Sequence, residues 1–128
     1  MKRVTGIGGI FIKAQNATVL REWYRKHLGI DISEWGGTAF RWKDELNPDV
    51  NGTTVFSIFE NTSTTFAPST APFMVNYRVD DLPAVLALLR AEGCDVDAKV
   101  DESEYGKFGW VMDPEGNRIE LWQPPAGQ

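Results

Sequence analysis

The stretch NRIELWQPP (117–125), just after DPEG (113–116), alternates polar and apolar residues around Glu120. Such alternation marks a strand with two unlike faces. Glu120 shares one face with Arg118 and Trp122, and the carboxylate has two readings. In the first it pairs with a nearby arginine such as Arg118, two residues away on the same face, and helps fix sheet register. In the second it stands in a pocket, where it orients a ligand or moves a proton. Burial raises a carboxylate pKa and a neighbouring arginine lowers it, so the sequence leaves its basicity open. Few other residues offer chemistry. The chain has one histidine, His27, and one cysteine, Cys94. A single cysteine builds neither a disulfide framework nor a cysteine zinc site. The sequence carries no glycine-rich phosphate loop, nucleophile elbow or basic stripe.

The 128 residues fit one domain with a sizeable core. A net charge of −5 opposes non-specific attraction to nucleic acid or to an acidic membrane surface. No apolar run approaches the ~20 residues needed to span a bilayer. The opening MKRVTGIGGIF enters a strand-like pattern directly, without a signal-peptide pattern, so a cytoplasmic protein is expected. The three N-x-[ST] triplets, at Asn16, Asn51 and Asn61, are then read as chance.

The elements that must position Glu120 come in two copies. GIFIKAQNATVLREWYRKHLG (9–29) and MVNYRVDDLPAVLALLRAEG (74–93) each read as strand, capping residue, amphipathic helix and glycine. Asn16 matches Asp81 at an offset of 65 (81 − 16), and GTTVFSIF (52–59) matches GNRIELWQ (116–123) at 64 (116 − 52). Asn16 and Asp81 cap the free N–H groups of each opening turn. Gly29 and Gly93 supply the stops. Leu20, Trp23, Tyr24, His27 and Leu28 form the first apolar stripe, with Trp23 and Tyr24 read as core; Leu82, Val85, Leu86 and Leu89 form the second. Strands are expected near 31–35, 38–43 and 53–59, and again near 95–100, 108–113 and 117–122. Each unit is therefore β-α-β-β-β, spanning about 4–60 and 72–124. The Ser/Thr/Pro-rich stretch 60–72 joins them as a linker or lid. A two-fold arrangement gives an α+β domain with a strongly curved mixed sheet, helices outside and a concave cup inside.

This plan, with REWYRKHLGI (21–30), VDDLPAVLALLRAEGCDV (79–96) and GWVMDPEGNRIELWQP (109–124), resembles the vicinal oxygen chelate superfamily of glyoxalase I, bleomycin- and fosfomycin-resistance proteins and extradiol dioxygenases. The resemblance covers nearly the whole chain. It implies a cup-shaped site, and in metal-dependent members it implies ligands on the first and last strands of each unit. Seven residues before each helix cap lie Gly9 and Met74, and Glu120 stands where the family usually has glutamate. Its mate by the 64-residue offset is Phe56. Glycine and phenylalanine donate nothing to a metal, and a thioether is a poor ligand for Mg²⁺, Mn²⁺ or Zn²⁺. No metal and no cofactor are expected.

Strand parity fills in the cup. It places Phe11, Lys13, Phe56, Met74, Asn76, Arg78, Trp110, Arg118 and Trp122 as ligand-binding candidates around Glu120. Tyr105 joins them on the loop EYGKFGW (104–110), which is either a mobile lip or merely a bend. Trp35, Phe40 and Trp42 are read mainly as core. The expected function is binding of a small aromatic or amphipathic molecule, with metal-independent acid/base chemistry at Glu120. Lys13, Arg78 or Arg118 would orient an anionic group. The alternatives are a sequestering, non-catalytic binding protein and a metal-dependent lyase, isomerase or dioxygenase. The resemblance also implies a homodimer.

Overall fold

A computed structural model describes residues 2–128. In chain order its elements are β1 (Val4–Ala14), α1 (Ala17–Leu28), β2 (Gly37–Arg41), β3 (Thr53–Glu60), β4 (Phe73–Val79), α2 (Leu82–Ala91), β5 (Asp95–Val96), β6 (Asp101–Ser103), β7 (Gly106–Met112) and β8 (Arg118–Gln123). All strands join one curved mixed sheet in the order β2-β3-β1-β4-β8-β7-β5, with β6 added on β7. At its centre β1 and β4 run antiparallel, and each has a parallel outer neighbour, β3 for β1 and β8 for β4. Among the described residues, no helix is long and apolar enough to cross a membrane.

The helix signals act as their chemistry dictates. Asn16 Oδ1 accepts the Val19 N–H at 3.1 Å, and Gly29 ends α1 at φ 65°. Asp81 Oδ1 accepts the Ala84 N–H at 3.1 Å, with Pro83 in the first turn of α2. Both helices lie on one face of the sheet. Leu82, Val85 and Leu86 of α2 pack on Val79, Val111 and Leu121. Ala17, Leu20 and Tyr24 of α1 pack on Ile58, Phe56 and Ala14. Each fully buried Val, Leu or Ile side chain among these contributes about 1.5–3 kcal/mol.

Four expectations change. Trp35, Phe40 and Trp42 are exposed rather than core, because they lie on or beside the edge strand β2. Trp23 is 48% exposed, not core, and rests against Tyr24 and His27. The inner face of α1 is instead flanked by Arg21 and Arg25, whose guanidinium groups donate to the Ile58 and Ile32 carbonyls. Residues 31–35 form no strand, because Ser33 closes a turn with Gly36 and Gly37. The 95–100 strand shrinks to β5, because Asp97 Oδ1 accepts the Lys99 N–H and bends the chain there.

Candidate functional site

The face opposite the helices carries the candidate residues. β1 contributes a bulge at Gly8–Gly9, where its register on β4 shifts between Ile7 and Gly9. A Cβ on Gly8 would stand 2.1 Å from Asn76 Oδ1 and 2.9 Å from the Trp122 ring. Only glycine lets the central strands admit the Asn76 amide there.

Glu120 lies beside Asn76 across the parallel β4–β8 pair and beside Trp110 across the antiparallel β7–β8 pair. Its Oε1 accepts the Asn76 amide at 2.7 Å, and its Oε2 accepts the Trp110 indole N–H at 2.9 Å. Glu120 is 6% exposed and Asn76 2%. Burial holds the Glu120 carboxyl above the usual glutamate range. The two hydrogen bonds and the Arg118 charge oppose that rise without cancelling it. Asn76 Oδ1 is buried without a partner. A protonated Glu120 would satisfy it once the amide is turned over, since either amide orientation fits this pair.

Arg118 is not the partner of Glu120. Its guanidinium binds Asp97 Oδ2 at 3.2 Å and lies over the Trp110 ring, 5.1 Å from its centroid. Asp97 follows β5, which pairs with β7 just across from Arg118, so the long side chain reaches outward to it. Of the two readings of Glu120, the arginine pair is the one the geometry contradicts. Glu120 is a buried acid held by two neutral donors.

The middle of the concave face is filled. Phe11, Met74 and Trp110 pack together with Phe66, and Val55, Phe59 and Phe108 border them. Phe66 comes from the 60–72 linker and is 0% exposed. Sequence reasoning missed it, although it is the one large apolar residue in NTSTTFAPST (61–70). Lys13 stands at one end of this cluster, its ammonium 5.2 Å from the Phe66 ring centroid. At the other end the Arg78 guanidinium lies between the Trp42 and Trp122 rings, 4.8 and 5.4 Å from their centroids. It donates to the Thr53 carbonyl, and burial lowers its pKa against the opposing pull of Asp80. Tyr105 is 67% exposed and touches the site only through its backbone, whose carbonyl accepts the Trp122 indole N–H at 2.8 Å.

Phe56 does not face the concave side. Its ring packs on Tyr24 of α1, 5.2 Å between centroids. The register explains why. Phe11 and Asn76 are equivalent by the 65-residue offset, and their parallel neighbours are Ser57 and Glu120. The true mate of Glu120 is therefore Ser57, at an offset of 63 (120 − 57). A one-residue error in the offset transfers the choice to the opposite face. Ser57 is buried and borders an open hollow of about 470 Å³, lined also by Phe11, Trp35, Val55, Phe59 and the start of the linker.

The four positions at which the superfamily resemblance implies metal ligands thus hold Gly9, Ser57, Met74 and Glu120. They do not fit a metal centre: one hydroxyl, one thioether and one carboxylate whose oxygens already accept two donors. Among the described residues no three His, Cys, Asp or Glu side chains come together as a metal-binding group.

The sequence matches the family model of the Glyoxalase/Bleomycin resistance protein/Dioxygenase superfamily over residues 7–121. No curated protein matches it. Among solved structures, a methylmalonyl-CoA epimerase in complex with methylmalonyl-CoA and NH4+ superimposes with a TM-score of 0.71 at 19% identity, covering 98% of each chain. The methylmalonyl-CoA epimerase of Mycobacterium tuberculosis gives 0.63 at 19% identity, covering 98% of this chain and 91% of its own. A protein described as an NAD-dependent benzaldehyde dehydrogenase of Legionella pneumophila gives 0.60 at 10% identity, covering 91% and 98%. At such identities the likeness is one of fold.

Proposed function

The chain belongs to the Glyoxalase/Bleomycin resistance protein/Dioxygenase superfamily, and we propose that it binds a small aromatic or amphipathic organic molecule on its concave face. The observation that supports this is the hollow of about 470 Å³, walled by Phe11, Trp35, Val55 and Phe59, with the Ser57 hydroxyl and the paired Arg21 and Glu60 also lining it. An apolar lining with a few placed polar groups is what a small-molecule site needs. Sequestration is the simplest form of this reading, because Glu120 is not among the residues lining the hollow. Acid/base chemistry at Glu120 is the second reading. It is favoured by the burial that keeps a proton on the carboxyl to higher pH than an exposed glutamate would.

Trp35 borders the hollow and is 57% exposed, so the part of the tryptophan emission lost in Trp35→Phe reports occupancy. Titration with a panel of aromatic compounds should quench or shift that part of the emission, and Val55→Met, which fills the hollow without adding a fluorophore, should abolish the response. A response that survives the filled hollow overturns the placement. Any compound that binds is then followed for turnover. Conversion that Glu120→Gln abolishes while binding persists supports the second reading, and binding without conversion supports sequestration. A homodimer belongs to the same proposal. The edge strand β2 and the residues around it expose Trp35, Phe40 and Leu46, and sedimentation velocity reads the mass directly.

A further inference from the structure

We propose that Phe66 is a built-in competitor for the ligand site, a phenyl ring that an aromatic carboxylate displaces. This rests on the binding reading above and names its ligand class.

Phe66 sits at the middle of the linker yet is completely buried. Its ring meets Phe59 edge-on, with 5.2 Å between centroids, and packs with Phe11, Met74 and Trp110. Sulfur and aromatic edges of this kind form a box for a flat ring. Apart from this ring, the segment is fixed to the sheet mainly at its end, where the Pro72 carbonyl accepts the Lys13 N–H at 2.7 Å, and Ser69 is also buried. From 61 to 71 its hydrogen bonds stay inside the segment and its hinge: Ser63 N–H to Glu60, Ala67 N–H to Thr64, Ser69 N–H to Phe66 and Ala71 N–H to the Ser69 hydroxyl. The exception is the long 3.3 Å contact between the Asn61 and Gln15 side chains. Phe66 is therefore the one large apolar anchor in the middle of the strap, and a ligand ring that takes its place restores the same burial while the strap returns its bonds to water.

The box and the open hollow share a wall, because Phe11 and Phe59 belong to both. Phe66 does not itself line the hollow; the shared Phe11 and Phe59 side chains stand between the hollow and its ring, on the same face of the sheet. Lys13 supplies the charge preference. Its ammonium stands over the Phe66 ring and makes no ion pair among the described residues. An aromatic ring bearing a carboxylate would give that cation its missing partner.

Benzoate and its neutral counterpart benzyl alcohol test this by calorimetry, with hydrogen exchange read over residues 61–71. A site closed by its own plug shows an affinity reduced by the closed fraction, so Phe66→Ala should bind benzoate about tenfold tighter than wild type or better. Added benzoate should also speed exchange across the strap in the wild-type protein. Lys13→Met should erase the preference for benzoate over benzyl alcohol. If Phe66→Ala fails to fold, Phe66→Leu, which keeps an apolar side chain without the ring, should shift affinity in the same direction. Equal affinity in wild type and variant, or slower exchange on binding, overturns the plug but leaves the binding reading intact. A benzoate preference unchanged in Lys13→Met overturns the anionic part. No binding of either compound to any of these proteins overturns the aromatic-carboxylate class and the plug with it, while the binding reading is decided by the wider compound panel.

Discussion

Asn76 and Glu120 face each other across the parallel β4–β8 pair, and the amide donates to the carboxylate at 2.7 Å. Neither side chain touches bulk water to any extent, so the pair places a titratable proton inside the sheet rather than at its surface. That arrangement has a measurable sign.

The folded-state pKa of Glu120 is raised by burial. Stability from a group raised this way is fully present below the unfolded glutamate pKa and is lost as pH rises through the folded value. Glu120→Gln, which cannot ionise, should escape that loss. Its stability relative to wild type should climb as pH increases across this window, with a slope approaching about 1.4 kcal/mol per pH unit for the one proton involved. The other carboxylates titrate alike in both proteins and drop out of the difference. Paired thermal melts between acid and neutral pH check this, and a flat difference would show that Glu120 is not a buried acid.

A substitution in a Ser/Thr-rich linker ordinarily changes stability by less than ~0.5 kcal/mol. Phe66→Ala should cost about 3–5 kcal/mol, as for a fully buried core phenylalanine. Urea unfolding of Phe66→Ala beside Thr65→Ala makes the comparison. Similar, small effects from both would mean that the ring does not hold the concave cluster together.

Gly8→Ala should destabilise by about 1–3 kcal/mol, because its methyl group would meet the Asn76 amide oxygen and the Trp122 ring. It should also disturb the Glu120 contacts, seen as a shift of the Trp110 indole N–H resonance. Gly116→Ala, whose Cβ meets nothing within 4 Å, controls for the loss of glycine alone, although its φ of 82° carries its own strain.

Zn²⁺, Mn²⁺ or Ni²⁺ should leave the melting temperature unchanged. A cation held at a hundredfold excess over its Kd would add about 2.7 kcal/mol of stability. A clear upward change that vanishes in Glu120→Gln would overturn the reading of Gly9, Ser57, Met74 and Glu120 as unfit for a metal.

Local chemistry made much of this fold readable. Asn16, Asp81 and Gly29 act within one turn of their own position, so the caps and stops could be placed from neighbours alone. Parity along β8 put Glu120, Arg118 and Trp122 on one face for the same reason. Long-range partners were less accessible. Arg118 reaches Asp97, and Phe66 finds Met74 and Trp110, through contacts that no spacing rule encodes. Phe56 marks the boundary most clearly. The repeat was correctly seen, but one residue of difference between the two arms exchanged an inward hydroxyl for an outward ring. Trp23 shows that a stripe of apolar residues can be wider than the contact it makes, since arginines took the flank of α1 that it was expected to fill.

The bulge at Gly8–Gly9 makes the vacant corner hard to refill. A histidine introduced at position 9 would start with its Cβ 2.8 Å from the Val55 carbonyl and 3.1 Å from the Phe11 ring. Backbone and aromatic neighbours occupy the space that such a side chain would need. Installing an ion centre would mean rebuilding a stretch of β1 and its neighbour together. No single substitution at position 9 achieves that without moving the backbone of β3 or the ring of Phe11.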